Sequence, residues 1–106
     1  MSYKEIAKFL KVLADPNRLE ILDLLSCEAL CAHDLLGYFQ FSQPTLSHHM
    51  KVLSDSELIT MRKVGNKRMY KLNHNLMTEV TEQLVNINTN HVGCVCNDIN
   101  GSRCNS

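Results

Sequence analysis

At 106 residues, 44% of them hydrophobic, the chain is long enough for one modest core and near the size at which a second copy often helps to complete it. The absence of tryptophan and the presence of only four glycines disfavour a β-sandwich, and no apolar run approaches the roughly 20 residues of a membrane span, so a mainly helical, cytoplasmic protein is expected. Eleven basic residues balance eleven acidic ones, so affinity for a polyanion would have to come from local segregation of charge.

In chain order, Ile6, Phe9, Leu10 and Leu13 share one face of a first helix that should stop near Ala14. Asp15 is a good N-cap and Pro16 suits the first helical position, so a second helix carrying Leu19, Ile21, Leu22, Leu24 and Leu25 should run to about Ser26. Cys27 follows that apolar run and is expected to pack in the core as a small hydrophobe. A third helix is predicted from Ala32 to Tyr38, with Gly37 near its end, after which Gln40 and Phe41 lead to a cap at Ser42. Ser42 and Pro44 open a fourth helix, whose inner face is anchored by Leu46, Met50 and Leu53. Ile59 to Leu72 reads as two strands folded about Val64-Gly65-Asn66. Leu76, Met77, Val80, Leu84 and Ile87 then recur at helical spacing from about Asn75 to Asn88. Residues 1–90 should form one domain, and the Gly-, Asn- and Ser-rich stretch 91–106 a flexible, cysteine-containing tail.

The fourth helix leaves Ser42, Gln43, Thr45, Ser47, His48 and Lys51 on its outward side, a set of small hydrogen-bonding groups suited to base edges and phosphates in a major groove. The hairpin that follows carries Arg62, Lys63, Lys67, Arg68 and Lys71 with no acid between Met61 and Lys71. From Ser42 to His74 six basic residues stand against Asp55 and Glu57, an excess of four that the rest of this neutral chain must offset. A polar-faced helix followed by a basic hairpin is the order of a winged helix-turn-helix, in which the helix enters the groove and Arg62, Lys63, Lys67 and Arg68 neutralise backbone phosphates. His48 is assigned to DNA; His49, about 100° round the helix, is expected to be packed or hydrogen-bonded. The apolar faces of the first and last helices call for a partner surface, and a two-fold copy of the same chain supplies one. Such a homodimer sets two reading helices about 34 Å apart on a palindromic operator.

The runs Leu10-Lys11-Val12-Leu13-Ala14-Asp15-Pro16-Asn17-Arg18-Leu19-Glu20-Ile21-Leu22, Ser42-Gln43-Pro44-Thr45-Leu46-Ser47-His48-His49-Met50-Lys51-Val52-Leu53 and Gly65-Asn66-Lys67-Arg68-Met69-Tyr70-Lys71-Leu72 resemble the ArsR/SmtB family of metal-sensing repressors, in order and spacing, over about Tyr3 to His74. Within that family the chain resembles arsenical-resistance repressors of Gram-positive bacteria. The resemblance implies a homodimeric winged-helix repressor that holds its operator until a toxic metal or metalloid binds. Family members place that inducer site in different parts of the fold, so the thiols have to be weighed by their chemistry.

Five cysteines, an odd number without an export signal, are expected to be thiols rather than a disulfide framework. Cys31-Ala32-His33-Asp34-Leu35 occupies the place of the family's Glu-Leu-Cys-Val-Cys-Asp-Leu box, with His33 where the second cysteine would be. Trivalent arsenic favours a pyramid of thiolates, so this departure weakens an arsenic site and leaves Cys31 and His33 as half of a mixed site for zinc or another borderline ion. Cys94, Cys96 and Cys104 offer three sulfurs and no imidazole, with Gly101-Ser102 allowing the third to fold back, the right chemistry for arsenite or antimonite. Cys31 could also join tail thiols of either subunit. An SmtB-type site on the last helix is not expected, because His74, Glu79, Glu82 and His91 have different spacings from that pattern.

The expected function is therefore a repressor released by As(III) or Sb(III), without a permanent cofactor; the alternatives are a sensor of zinc or cadmium, or of thiol oxidation. A thiol-rich metal buffer or metallochaperone would leave the polar helix and basic hairpin unused. Nor is an enzyme expected, since Ser47 and His48 are neighbours on one helix with no third group to orient them.

Overall fold

The computed structural model describes residues 1–40 and 42–89. Its elements run α1 (Tyr3–Leu13), α2 (Pro16–Cys27), β1 (Leu30–Cys31), α3 (Ala32–Leu36), α4 (Gln43–Asp55), β2 (Ile59–Val64), β3 (Lys67–Leu72) and α5 (His74–Asn88). Phe41, His91 and the tail thiols Cys94, Cys96 and Cys104 lie outside the described residues.

Each long helix starts where a side chain satisfies backbone N–H groups that have no partner within the helix. At α1 the Glu5 N–H donates to Ser2 Oγ (3.2 Å) while the Ser2 N–H donates to Glu5 Oε1 (3.4 Å), a reciprocal capping box. At α2 the N–H groups of Asn17 and Arg18 donate to Asp15 Oδ1 at 2.8 and 3.2 Å. Arg18 Nε donates to the Val12 carbonyl at 2.7 Å, which ties the last turn of α1 to the first turn of α2. At α4 the Thr45 N–H donates to Ser42 Oγ (3.4 Å), and Pro44 sits in the first turn where no intrahelical donor is lost. Asn73 caps α5 through Leu76 N–H, and its side-chain amide donates to the Glu57 carbonyl (3.0 Å), joining the start of α5 to the turn after α4.

That turn uses Glu57 at φ 67°, the single non-glycine residue with positive φ among those described. A side chain in the left-handed region costs about 1–2 kcal/mol. The bonds from Ser56 N–H to Val52 O and from Glu57 N–H to Ser54 O close the helix there and turn the chain into β2.

The strands form one antiparallel sheet in the order β1-β3-β2. Gly65, at φ 62°, and Asn66 make a two-residue turn, with Val64 opposite Lys67. The sequence pattern did not foretell β1; two residues cannot display an alternation, and Leu30 and Cys31 join the sheet by pairing with Tyr70 and Met69. Through that pairing the beginning of α3 is fastened to the hairpin.

Leu25, Leu35, Leu46, Leu53 and Leu58 are fully buried and centre the core, each contributing about 1.5–3 kcal/mol by burial. Val80 of α5 is also buried, whereas Tyr3, Leu10, Val85 and Ile87 on the two terminal helices remain exposed. Two expectations need correction. Cys27 is exposed rather than in the core, because it lies about 140–160° around α2 from the buried Leu22 and Leu25. The third helix ends at Leu36 rather than Tyr38, since N–H groups of Gly37, Tyr38 and Phe39 bond back three residues, to Asp34, Leu35 and Leu36.

Candidate nucleic-acid interface and its neighbouring thiol

Helix α4 is divided as its spacing predicts. Leu46, His49, Met50 and Leu53 face inward, and Gln43, Thr45, Ser47, His48 and Lys51 are exposed. Ser42 and Thr45 hydroxyls hydrogen-bond one another at 3.0 Å, so these two groups at the tip of α4 form a unit. Lys51 lies 3.6 Å from Asp55 with both side chains largely in water, a pair worth only a few tenths of a kcal/mol. A phosphate can therefore compete for Lys51 at little cost.

His49 is buried, at 6% exposure, and its ring lies 5.8 Å from that of His48 at 52°. His49 also acts on the α2 cap. Burial works to raise the Asp15 pKa, but the N–H groups of Arg18 and Asn17, with the charges of His49 and Arg18, outweigh it and hold the carboxyl below its ordinary value. Helix α4 is set against α2 by the apolar contact of Leu46, Met50 and Leu53 with Ile21, Leu22 and Leu25 in one buried cluster.

The pleat of the sheet sorts the basic side chains of the wing into two sets. Residues opposite one another share a face, so Lys63 and Arg68 lie on the side of Met61 and Tyr70, and Arg62 and Lys67 on the side of Val64 and Met69. Arg68 lines a cavity of about 260 Å³ together with Gln43, Ser47 and Lys51 of α4. The polar face of the helix and one face of the wing therefore border the same concave surface. Tyr70, half-buried beside Arg68, belongs to that surface as well; its place opposite Leu30 could not be anticipated without β1.

Cys31 is the N-cap residue of α3 and is 6% exposed. Its thiol donates to Asp34 Oδ2 at 3.1 Å and its N–H donates to the same oxygen at 3.2 Å. The thiol hydrogen bond, followed by the backbone one, holds the Asp34 carboxyl below the ordinary carboxylate range. The spacing Cys-x-x-Asp is that of an N-cap and its third helical residue, the signal from which Asp34 could have been identified. Exposed His33 shares with Cys31 a cavity of about 430 Å³, which Ser47, Asn66, Lys67 and Arg68 also line. An ion on Cys31 would sit within the candidate DNA surface itself. Among the described residues no three His, Cys, Asp or Glu side chains are grouped to hold a metal, so Cys31 and His33 would need ligands from elsewhere to complete a site.

A capped, polar-faced helix beside a basic hairpin on a helical core defines a winged helix-turn-helix regulator. The model for "Bacterial regulatory protein, arsR family" matches residues 15–61. Over 104 residues the chain is 61% identical to the arsenical resistance operon repressor of Staphylococcus xylosus, covering 98% of this chain and 100% of that one. It is 58% identical, with the same coverage, to the arsenical resistance operon repressor of Staphylococcus aureus. Among solved structures, an ArsR-like transcriptional regulator from Rhodococcus sp. RHA1 superposes with a TM-score of 0.74 at 26% identity, over 81% of each chain. The chain belongs to the arsR family of bacterial regulatory proteins.

Proposed function

We propose that the chain is a cytoplasmic, homodimeric repressor of an arsenical-resistance operon, which holds its operator through α4 and the wing and releases it when arsenite or antimonite binds its thiols. The observation that carries the DNA half is the shared concave surface of Gln43, Ser47, Lys51 and Arg68. In this reading Gln43, Ser47 and His48 read base edges, the Ser42–Thr45 pair and Lys51 meet the backbone at the helix, and Arg62, Lys63, Lys67 and Arg68 neutralise phosphates. The exposed Tyr3, Leu10, Val85 and Ile87 on α1 and α5 support dimerisation, since burying them needs a surface these helices do not find among the described residues. No helix among the described residues is long and apolar enough to cross a membrane.

The inducer half rests on donor chemistry. Arsenite condenses with thiols, each As–OH giving an As–S bond and a water, and Cys94, Cys96 and Cys104 offer the sulfur-only set it prefers. Cys31 can contribute directly or by joining the tail thiols, and any ligation there withdraws its thiol from Asp34 at the foot of the wing. A coupling of about 1–3 kcal/mol between the two sites changes operator affinity about 5- to 150-fold. The shared cavity of Cys31 and His33 favours a second reading, a response to zinc or cadmium through a mixed site completed from elsewhere.

Operator binding measured with and without arsenite, zinc and cadmium tests both, for the wild type, Cys31→Ser and Cys94→Ser/Cys96→Ser. Loss of the arsenite response in the tail variant supports the sulfur site, and loss of the zinc or cadmium response in Cys31→Ser supports the mixed one. Equal release by arsenite in both variants would defeat the site assignment.

A further inference from the structure

Asn73 stands where the wing ends and α5 begins, and it makes three hydrogen bonds there. Its N–H donates to the Leu58 carbonyl (2.9 Å), its side-chain amide donates to the Glu57 carbonyl (3.0 Å), and its Oδ1 accepts from the Leu76 N–H (3.2 Å). Ser, Thr or Asp would serve as well to cap α5, but a carboxylate has no hydrogen to give and a hydroxyl ends one bond nearer the backbone. The amide alone therefore suits both the cap and the Glu57 carbonyl. Glu57 is held at φ 67°, a conformation that lasts only where its neighbours fix it. Just before it, the Ser56 N–H donates to the Val52 carbonyl, and the Ser56 hydroxyl donates to Leu53 O (2.7 Å) and accepts from the Leu58 N–H (3.3 Å). An unbroken set of hydrogen bonds thus runs from the last turn of α4 through Ser56, Leu58 and Asn73 to the first turn of α5.

We infer that Asn73 is a positioning residue for operator recognition: by fixing the first turn of α5 against the last turn of α4, it sets the separation of the two reading helices in the dimer, and so the half-site spacing the protein accepts. The inference rests on the operator-binding and dimer readings above and extends them. Helix α4 moves with the core, because Leu46, Met50 and Leu53 belong to it. Helix α5 is held to that body along its first half, where Leu76 and Met77 pack against the core and Val80 is buried, whereas Val85 and Ile87 further along are exposed. The angle at which α5 leaves the body therefore decides where a copy seated on Val85 and Ile87 places its own α4. Gln43, Thr45 and Ser47 lie toward the end of α4 away from the Asn73 junction. Across the 13 residues of α4, about 20 Å, a rotation of about 10° at the junction carries that end about 3 Å. That is close to the rise of one base pair, about 3.4 Å.

The test uses the full chain and a duplex selected by the wild-type protein from random sequence, together with versions in which one base pair is inserted or removed between the half-sites. Affinity is measured by anisotropy for the wild type, Asn73→Asp and Asn73→Ser. Both variants keep an acceptor for the Leu76 N–H and the backbone bond to Leu58 but lose the donor to Glu57, and only the first adds a charge. The wild type should bind the selected spacing about tenfold more tightly than either shifted one, since a shifted site has to be twisted or stretched to fit. In both variants that ratio should fall to about twofold or less, with melting temperatures within about 4 °C of the wild type. A role in stability alone would lower the melting temperature and weaken all three duplexes alike, leaving the ratio near tenfold, and would overturn the inference. So would a wild type indifferent to spacing, or a loss of the ratio in Asn73→Asp that Asn73→Ser does not share, which assigns the effect to the added charge. Failure of the underlying readings looks different: the wild type would not prefer the selected duplex to a scrambled one of equal length, or would sediment as a monomer.

Discussion

Asp15→Ala should unfold the protein at lower temperature without altering any group that faces DNA. Asp15 Oδ1 accepts from two N–H groups, those of Asn17 and Arg18, and the substitution leaves both without their acceptor at the start of α2. Loss of a helix cap costs about 1 kcal/mol, within about 0.5–2, and in a domain of this size each kcal/mol lowers the melting temperature by about 4–8 °C. The carboxyl is held below its ordinary pKa, so its charge-linked stabilisation is fully present above the unfolded value of 3.8 and is lost as pH falls through the lower folded value. Thermal melts followed by circular dichroism should therefore show a constant gap between wild type and variant from about pH 5 to pH 8, narrowing below about pH 4. Asp15→Asn, which keeps an acceptor but no charge, should fall between them. Equal melting temperatures at neutral pH, or a gap that stays unchanged into strong acid, would refute the role given to the Asp15 charge.

The two faces of α4 should separate folding from reading. Leu46→Ala should cost about 2–5 kcal/mol in a denaturant titration, while Ser47→Ala should leave stability within about 0.5 kcal/mol and reduce discrimination between operator and scrambled DNA in an anisotropy assay. Glu57→Gly removes a side chain from the left-handed region and should stabilise the fold by about 1 kcal/mol, visible as a rise in melting temperature. Val85→Glu/Ile87→Glu places charges on the exposed apolar end of α5 and should shift sedimentation toward the monomer mass while α4 and the wing stay folded.

The elements that hold the DNA surface could be read from the chain because they announce themselves locally. Ser42 and Pro44 mark the start of α4, Leu46, Met50 and Leu53 set its phase, and Gly65 supplies the positive φ at the wing turn. What escaped depends on residues distant in sequence. Leu30 and Cys31 become a strand only because Tyr70 and Met69 are there to pair with them, and that pairing brings Cys31 beside Ser47 and Arg68. Cys27 follows an apolar run yet is exposed for a different reason: its angular position around α2, not its neighbours along the chain, decides its burial. Strand alternation divides the wing cations, but only the fold shows that Arg68 borders α4, that Arg62 and Lys71 line a groove on the other face, and that Lys67 lines cavities on both.

Titration of arsenite into the wild-type protein bound to a fluorescent operator duplex, followed by anisotropy at fixed salt, shows whether the metalloid releases the operator. Anisotropy should fall to the value of free DNA, completely at an excess of arsenite, and be restored by a competing dithiol. An anisotropy that stays at the bound value through saturating arsenite, with antimonite equally without effect, would contradict that release.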